Sequence, residues 1–366
     1  MYKTSFNDNK FLNGSLIGAF MVNKSVLFDK LQWRDPIDGS VLEPIVTART
    51  PAGVPICGAL RRKGTQYGYP IVDCVARLTP ELAYRYSAWL DALELKPPPI
   101  PNNLGVGFQS EHSVDSFGFQ WAWNSTMRSE DDLRWRVAER FKIQPSEFVE
   151  KIVLDAGCGA GDQSRWLLDQ NAEVVSIDLS SAIEVTAIKL RLRPGWVGVQ
   201  GDITALPFIA NQFNLVYCEG VIQHTRDSAL AVSELCRTLA DGGTILATHY
   251  GKSQRLLGRM NVSWREFLRG YLSRWDRYKL LAFTGVLAAL TYVPLLGHLL
   301  RLTTVPYFPL TPDFKTTWTN TFDGYGNHAF QRTIDKEEFK SYFDQLKNME
   351  IIYQPSAETV IVARKT

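Results

Sequence analysis

The chain has 366 residues, 45% hydrophobic and 21% charged, an ordinary globular balance without the signature of a disordered chain. A formal net charge of +2 argues against a general nucleic-acid binder that works through bulk charge. Five cysteines (Cys57, Cys74, Cys158, Cys218 and Cys236), an odd number with no CxxC pair, fit reduced thiols better than a disulfide framework or a zinc site.

Residues 1–30 carry no clear pattern and read as a loosely attached arm. They contain no sustained apolar core before a small-residue cleavage site, so no signal peptide and a cytoplasmic location are expected. Residues 31–95 read as a small β-rich unit, with turn signals at Asp38-Gly39 and Lys63-Gly64 and a closing helical run, ELAYRYSAWLDALEL. KPPPIPNN then stops that helix, because prolines cannot continue it and favour an extended spacer. A linker is therefore expected over 96–129. From 130 onward strands alternate with helices: KIVLDAG, EVVSIDLS, VGVQGD, NLVYCEG and TILATHY are separated by the helical stretches DQSRWLLDQ, SAIEVTAIKLRL and RDSALAVSELCRTL. That alternation predicts right-handed crossovers and a parallel sheet covered on both faces. A helix near DKEEFKSYFDQLKN and a final antiparallel pair, EIIYQ and ETVIVARK, end the chain. The fold class is α/β: a doubly wound, seven-stranded, mostly parallel sheet, with the small N-terminal unit and a helical insertion over 251–333 attached.

VLDAGCGAGD, residues 153–162, is a buried strand running into a glycine turn. Ligands of doubly wound sheets gather at the carboxyl ends of the strands. A dinucleotide fingerprint would place its third glycine at 162, where Asp162 stands, and no Gly-Lys-Ser/Thr follows for a P-loop. Asp155 lies just before Gly157, Gly159 and Gly161, and a carboxylate there suits a cationic amino-acid group better than a pyrophosphate. Asp178 ends the second strand, where an acidic side chain accepts ribose hydroxyls. Gly201-Asp202-Ile203 ends the third strand and Glu219-Gly220 the fourth.

VLDAGCGAG, VVSIDLS, GDITALPF, FNLVYCEGVIQHT and LADGGTIL, taken in order, resemble the class I S-adenosylmethionine (SAM) dependent methyltransferases. The resemblance implies a Rossmann-like methyltransferase domain over 130–366 with SAM as cofactor. It implies that Asp155, Gly157, Gly159 and Gly161 line the methionine end and that Asp178 and Leu179 meet the ribose and adenine. Asp202 and Ile203 would flank the adenine, with Glu219, Gly220 and Gln223 near the substrate mouth. Methyl transfer to a hydroxyl needs a proton acceptor, and His224 is the nearest candidate. Tyr325 and His328, in TFDGYGNHAFQ, are further catalytic candidates on a stretch that reads as a returning loop or a packed turn.

LQWRDPIDGSVLEP and YPIVDCVARLTPELA are similar to the ribbon domain that precedes many bacterial methyltransferases and relates to activator subunits of tRNA methyltransferases. Where metal-binding members carry cysteines, this chain has Asp35, Asp38 and, nearby, Arg62, so no zinc is expected. The insertion opens basic, with eight Lys/Arg against two acidic residues from 252 to 279, and 280–300 then holds no charged residue. Three readings stay open for that stretch: a lid or dimer helix pair, a membrane-surface lid through 252–300, and a span. The acceptor implied is a small or lipid-linked metabolite methylated at a hydroxyl oxygen, with carbon and nitrogen open; nucleic acid ranks below it. The rival reading is a non-catalytic SAM-binding adaptor.

Overall fold

The structure is a computed structural model, and the residues described are 26–100, 118–120, 123, 128–252, 264, 267–272, 274–303, 314–326, 332–354 and 359–366. His328 therefore lies outside the described residues, as do most of the 1–30 arm and much of the 96–129 linker. The protein is α/β, built on one mixed sheet.

The small N-terminal unit is an antiparallel meander of β1 (Trp33–Arg34), β2 (Val41–Arg49), β3 (Pro55–Arg62), β4 (Gly68–Val72) and β5 (Val75–Arg77). The chain before it is less loose than its sequence suggests: Leu27 and Phe28 of α1 (Leu27–Lys30) are each 2% exposed, and the Phe28 ring lies 5.0 Å from Trp33. After β5, α2 (Pro80–Arg85) starts on a Thr79 cap that accepts from Leu82 N; α3 (Ser87–Asp91) follows, so the single predicted helical run is two short helices.

The remaining strands are β6 (Ile152–Ala156), β7 (Glu173–Asp178), β8 (Trp196–Gln200), β9 (Phe213–Cys218), β10 (Leu239–Thr248), β11 (Met349–Tyr353) and β12 (Val360–Lys365). The sheet order is β1-β2-β3-β4-β5-β8-β7-β6-β9-β10-β12-β11. The strands from β8 through β10 run parallel, whereas β12 is antiparallel to both its neighbours. Strand order reverses between β6 and β9, the switch point where such sheets bind ligands. Among the described residues this is one sheet of twelve strands, not a seven-stranded sheet beside a separate ribbon. The difference comes from a single seam: β5 pairs parallel with β8, Val75 against Gly198 and Arg77 against Gln200. The pairing satisfies the edge of β8 that would otherwise present unpaired backbone groups.

The crossovers are made by α5 (Asp162–Asp169), α6 (Ala182–Leu190) and α7 (Ser228–Thr238), with α11 (Lys336–Asp344) before the last two strands. Strand side chains such as Val153, Leu154, Val174 and Val175 are wholly buried, as a sheet with both faces covered requires. Ahead of β6, α4 (Glu130–Val137) is capped by Ser129, which accepts from Asp132 N.

The insertion leaves and returns at one place, where Gly251 bridges to Ile334 and Ile334 N donates to Tyr250 O. Its described helices include α8 (Arg277–Leu290), α9 (Leu296–Thr303) and α10 (Phe314–Tyr325). Leu272, Leu280, Leu287, Phe322 and Tyr325 form its own apolar cluster, and Trp318 Nε1 donates to Leu281 O at 2.9 Å. Other apolar side chains of these helices and their connection are exposed: Val286 is 60% exposed, Leu295 88% and Leu299 57%, while Tyr278, 66% exposed, keeps its ring edge against Phe119 at 5.5 Å. No described helix is long and apolar enough to cross a membrane.

Candidate cofactor and acceptor site

The glycine turn after β6 is shaped by three left-handed residues, Gly157 (φ +82°), Gly159 (φ +54°) and Gly161 (φ +79°). A Cβ on Gly157 would stand 2.2 Å from Val221 Cγ2, and one on Gly161 2.6 Å from Thr186 Cγ2, so both positions demand glycine on two counts. The turn's amides are used mostly by the neighbouring strand β7. Gly157 N and Cys158 N both donate to Ile177 O, Gly161 N donates to Cys158 O, and Gly159 N donates to Asp178 Oδ2 at 2.9 Å. A phosphate cradle needs such N–H groups aimed at the ligand; here four of five are already used. Asp162 opens α5 and pairs with Lys189 at 3.0 Å, which fixes the loop to the next crossover helix.

Carboxylates gather around this turn. Asp155, 2% exposed, accepts a hydrogen bond from Ser164 Oγ. Ser164 has one proton to give, so the 2.7 Å contact between Ser164 Oγ and Ser176 Oγ must have Ser176 donating, while Ser176 accepts from Trp196 Nε1 at 2.9 Å. Burial pushes the Asp155 carboxyl up to about 7, with the charges of Asp178 and Glu219 adding to the rise and Ser164 opposing it. Asp178 is half-buried at the end of β7 and its carboxyl is likewise raised by burial. Its Oδ1 accepts from Ser180 N at 2.8 Å and Ser180 Oγ at 2.6 Å. With Gly159 N, three of roughly four acceptor positions on this carboxylate are taken by the chain.

Leu179 follows, half-buried, and Asp202 stands beyond the end of the adjacent β8, with Ile203 5% exposed beside it. Asp202 Oδ1 accepts from Thr204 N and Oγ1, both at 2.8 Å, which leaves Oδ2 for a donor. Glu219 is held differently from its neighbours: Arg136 and Arg140 donate to Oε1 at 3.0 and 2.8 Å, and the Tyr217 hydroxyl donates to Oε2 at 2.7 Å. It anchors the α4 region to the end of β9. Gly220 (φ +71°) donates to Thr248 Oγ1 at 3.0 Å.

Beyond the switch point the surroundings become aromatic and amide-rich. The Gln223 amide is buried with neither polar atom in a hydrogen bond of good geometry; its polar neighbour is the Tyr250 hydroxyl, whose pKa burial raises. The His224 ring, 7% exposed, meets Tyr250 edge-on at 5.5 Å. Asp323 of the insertion adds its charge near Tyr250 and accepts from Gln120 Nε2 at 2.9 Å. Tyr325 is fully buried in the insertion's apolar cluster, and the stretch read as a loop or turn is helical through Tyr325. His249 and Tyr250 escaped the sequence reading as site residues, although they directly follow β10 and the strand-end rule reaches them. His249 is buried, which lowers its pKa, and its Nε2 lies 3.4 Å from Ser228 Oγ.

In the N-terminal unit the Arg62 guanidinium stands between two carboxylates. Its Nη2 lies 2.6 Å from Asp35 Oδ2 and its Nη1 3.1 Å from Asp38 Oδ2. Tyr69 and the Ile37 N–H donate to the other oxygen of Asp35.

Residues 154–247 match the methyltransferase domain family. Over 113 residues the chain is 35% identical to a malonyl-[acyl-carrier protein] O-methyltransferase of Enterobacter lignolyticus, covering 31% of this chain and 43% of that protein. It is 28% identical over 166 residues to a ubiquinone biosynthesis O-methyltransferase of Pseudomonas paraeruginosa, covering 40% of this chain and 71% of that one. The chain thus spans less than half of the first relative. Among solved structures, magnesium protoporphyrin IX methyltransferase from Synechocystis PCC 6803, with bound SAH, aligns at 16% identity and a TM-score of 0.36, over 68% of this chain and 84% of that one.

Proposed function

We propose that the chain is a SAM-dependent methyltransferase acting on a small or lipid-linked metabolite at a hydroxyl oxygen. The observation that carries this reading is the glycine turn whose amides are consumed within the chain, set beside Asp178 and Asp202 at two successive strand ends. Such a turn suits a nucleoside whose remaining groups are cationic, and the Asp155 carboxyl, raised by burial and further by the charges of Asp178 and Glu219, marks a region that favours positive charge. The sequence relatives named as O-methyltransferases support the same reading.

When bound, SAM supplies a methyl group already activated on a sulfonium. The chain's task is then to hold the cofactor, aim an acceptor oxygen and exclude water. Asp155 and the three glycines would take the methionine end, Asp178 and Leu179 the ribose, and Asp202 with Ile203 the adenine. His224 would accept the acceptor hydroxyl's proton, with Gln223 and Tyr250 orienting that group. The segment 251–333 would act as a lid over this end of the sheet, with Asp323 as its polar contact near Tyr250. The meander at 31–95 would be a ribbon-like unit in which Arg62 supplies a positive charge between Asp35 and Asp38. The exposed apolar side chains Val286, Leu295 and Leu299, on the segment that also carries exposed Arg274, Arg277 and Lys279, would rest on an anionic lipid surface, where a lipid-linked acceptor resides.

Calorimetric titration of SAM and S-adenosylhomocysteine into the full chain tests the cofactor. Binding should weaken about tenfold or more in Asp178→Ala. A labelled-methyl screen of lipid and metabolite extracts then tests the acceptor. Absence of binding at millimolar ligand would refute the reading.

A further inference from the structure

We propose that Arg77, a residue of the N-terminal unit, is a positioning residue for the cofactor's ribose, acting through Gln200 and the peptide that joins Leu179 to Ser180. This rests on the SAM reading above. Arg77 is 1% exposed on β5, opposite Gln200 of β8 in the parallel register. Its Nη1 donates to Gln200 Oε1 at 2.7 Å and to Glu184, its Nη2 donates to Val72 O at 3.2 Å, and the guanidinium lies 5.5 Å from the Tyr86 ring centre.

A primary amide has a donor end and an acceptor end. With a guanidinium claiming the oxygen of Gln200, the nitrogen must point the other way, because a flipped amide would set donor against donor. That nitrogen donates to Leu179 O at 3.2 Å. The Leu179 carbonyl and the Ser180 N–H belong to one planar peptide unit and point in opposite directions. Drawing the carbonyl toward Gln200 therefore aims the N–H at Asp178 Oδ1, which it meets at 2.8 Å. The orientation of the carboxylate assigned to the ribose is thus set from a strand that belongs to the N-terminal unit. Glu184, by contrast, is a solvent-facing partner whose side chain is 39% exposed, and it has no part in the path to Asp178.

A ligand cycle tests this. S-adenosylhomocysteine and its 2′-deoxy analogue are titrated into wild type, Arg77→Met, Gln200→Leu and Glu184→Gln, with thermal unfolding recorded for each. In wild type, loss of the 2′-hydroxyl should weaken binding about tenfold. In Arg77→Met and Gln200→Leu, S-adenosylhomocysteine itself should bind about tenfold more weakly, and removing the hydroxyl should cost less than about threefold more. Glu184→Gln should keep the wild-type cycle. A merely structural Arg77 would weaken both ligands equally or neither, and that result overturns the proposal. Should Arg77→Met fail to fold, Gln200→Leu alone decides between the same two outcomes. If wild type binds neither ligand, the cofactor reading itself falls, and the ribose role of Arg77 with it.

Discussion

Two additions flank the same α/β core, and they join it in opposite ways. The N-terminal meander is welded on through backbone pairs, β5 to β8, and places a nearly inaccessible arginine beside the loops at the carboxyl ends of β7 and β8. The insertion at 251–333 shares no described strand with the sheet beyond its neck at Gly251 and Ile334; it carries its own apolar cluster and leaves apolar side chains in solvent. An element that completes a sheet edge contributes to the fold. One that keeps an apolar face outward is arranged for something the chain does not itself supply.

The sharpest way to break this contrast is Arg62→Met. It leaves the Asp35 carboxylate, whose side chain is wholly buried, without its cation. Removing one partner of a buried pair costs about 3–5 kcal/mol, so chemical denaturation should show a large loss of stability. If the sheet is one cooperative unit, the loss should appear in the whole transition; a separate early transition for the N-terminal unit would break the comparison.

Next in size is the pH dependence carried by Asp155. Its folded carboxyl is raised to about 7, against about 3.9 in an unfolded chain. Between these values the folded state holds a proton that the unfolded state has released. Stability should therefore fall as pH rises from about 4 to about 7, by at most about 1.4 kcal/mol per pH unit, and level off above that. Asp155→Asn should flatten that slope. SAM affinity should move the other way, strengthening from pH 6 to 8 as Asp155 gains charge, and losing this dependence in Asp155→Asn.

The smallest effect on stability belongs to the insertion. Val286→Asp changes a residue 60% exposed and should alter stability by no more than about 0.5 kcal/mol. Sedimentation with vesicles containing phosphatidylserine should nevertheless drop severalfold, and high salt should reduce it in wild type. Equal sedimentation of wild type and variant would leave the membrane contact without support; a concentration-dependent dimer lost in the variant would assign the face to a second copy instead.

Much of the core was legible because its signals are local. Hydrophobic runs of five or six residues, crossover helices and a glycine turn each declare themselves within a short window, and their order set the candidate strand ends. What escaped depended on distant partners. Nothing near VDCVAR announces that Val75–Arg77 will pair with Gly198–Gln200 of β8, because parallel pairing leaves no turn between the strands. The clamp of Arg136 and Arg140 on Glu219 depends on where α4 lands over the sheet. TFDGYGNHAFQ reads as a returning loop or a packed turn, yet with Phe322 and Tyr325 buried its first part is helical through Tyr325, tertiary packing overriding propensity.

The β5–β8 seam also has a history in time. Val75 meets Gly198 only after about 120 further residues have been made, which at roughly 5–20 residues per second takes several seconds or more. During that interval β5 has no partner on that side, and the meander must wait with a strand edge open to any other chain. Expression at high ribosome density should therefore expose this chain to association through the N-terminal unit before the core exists to receive it.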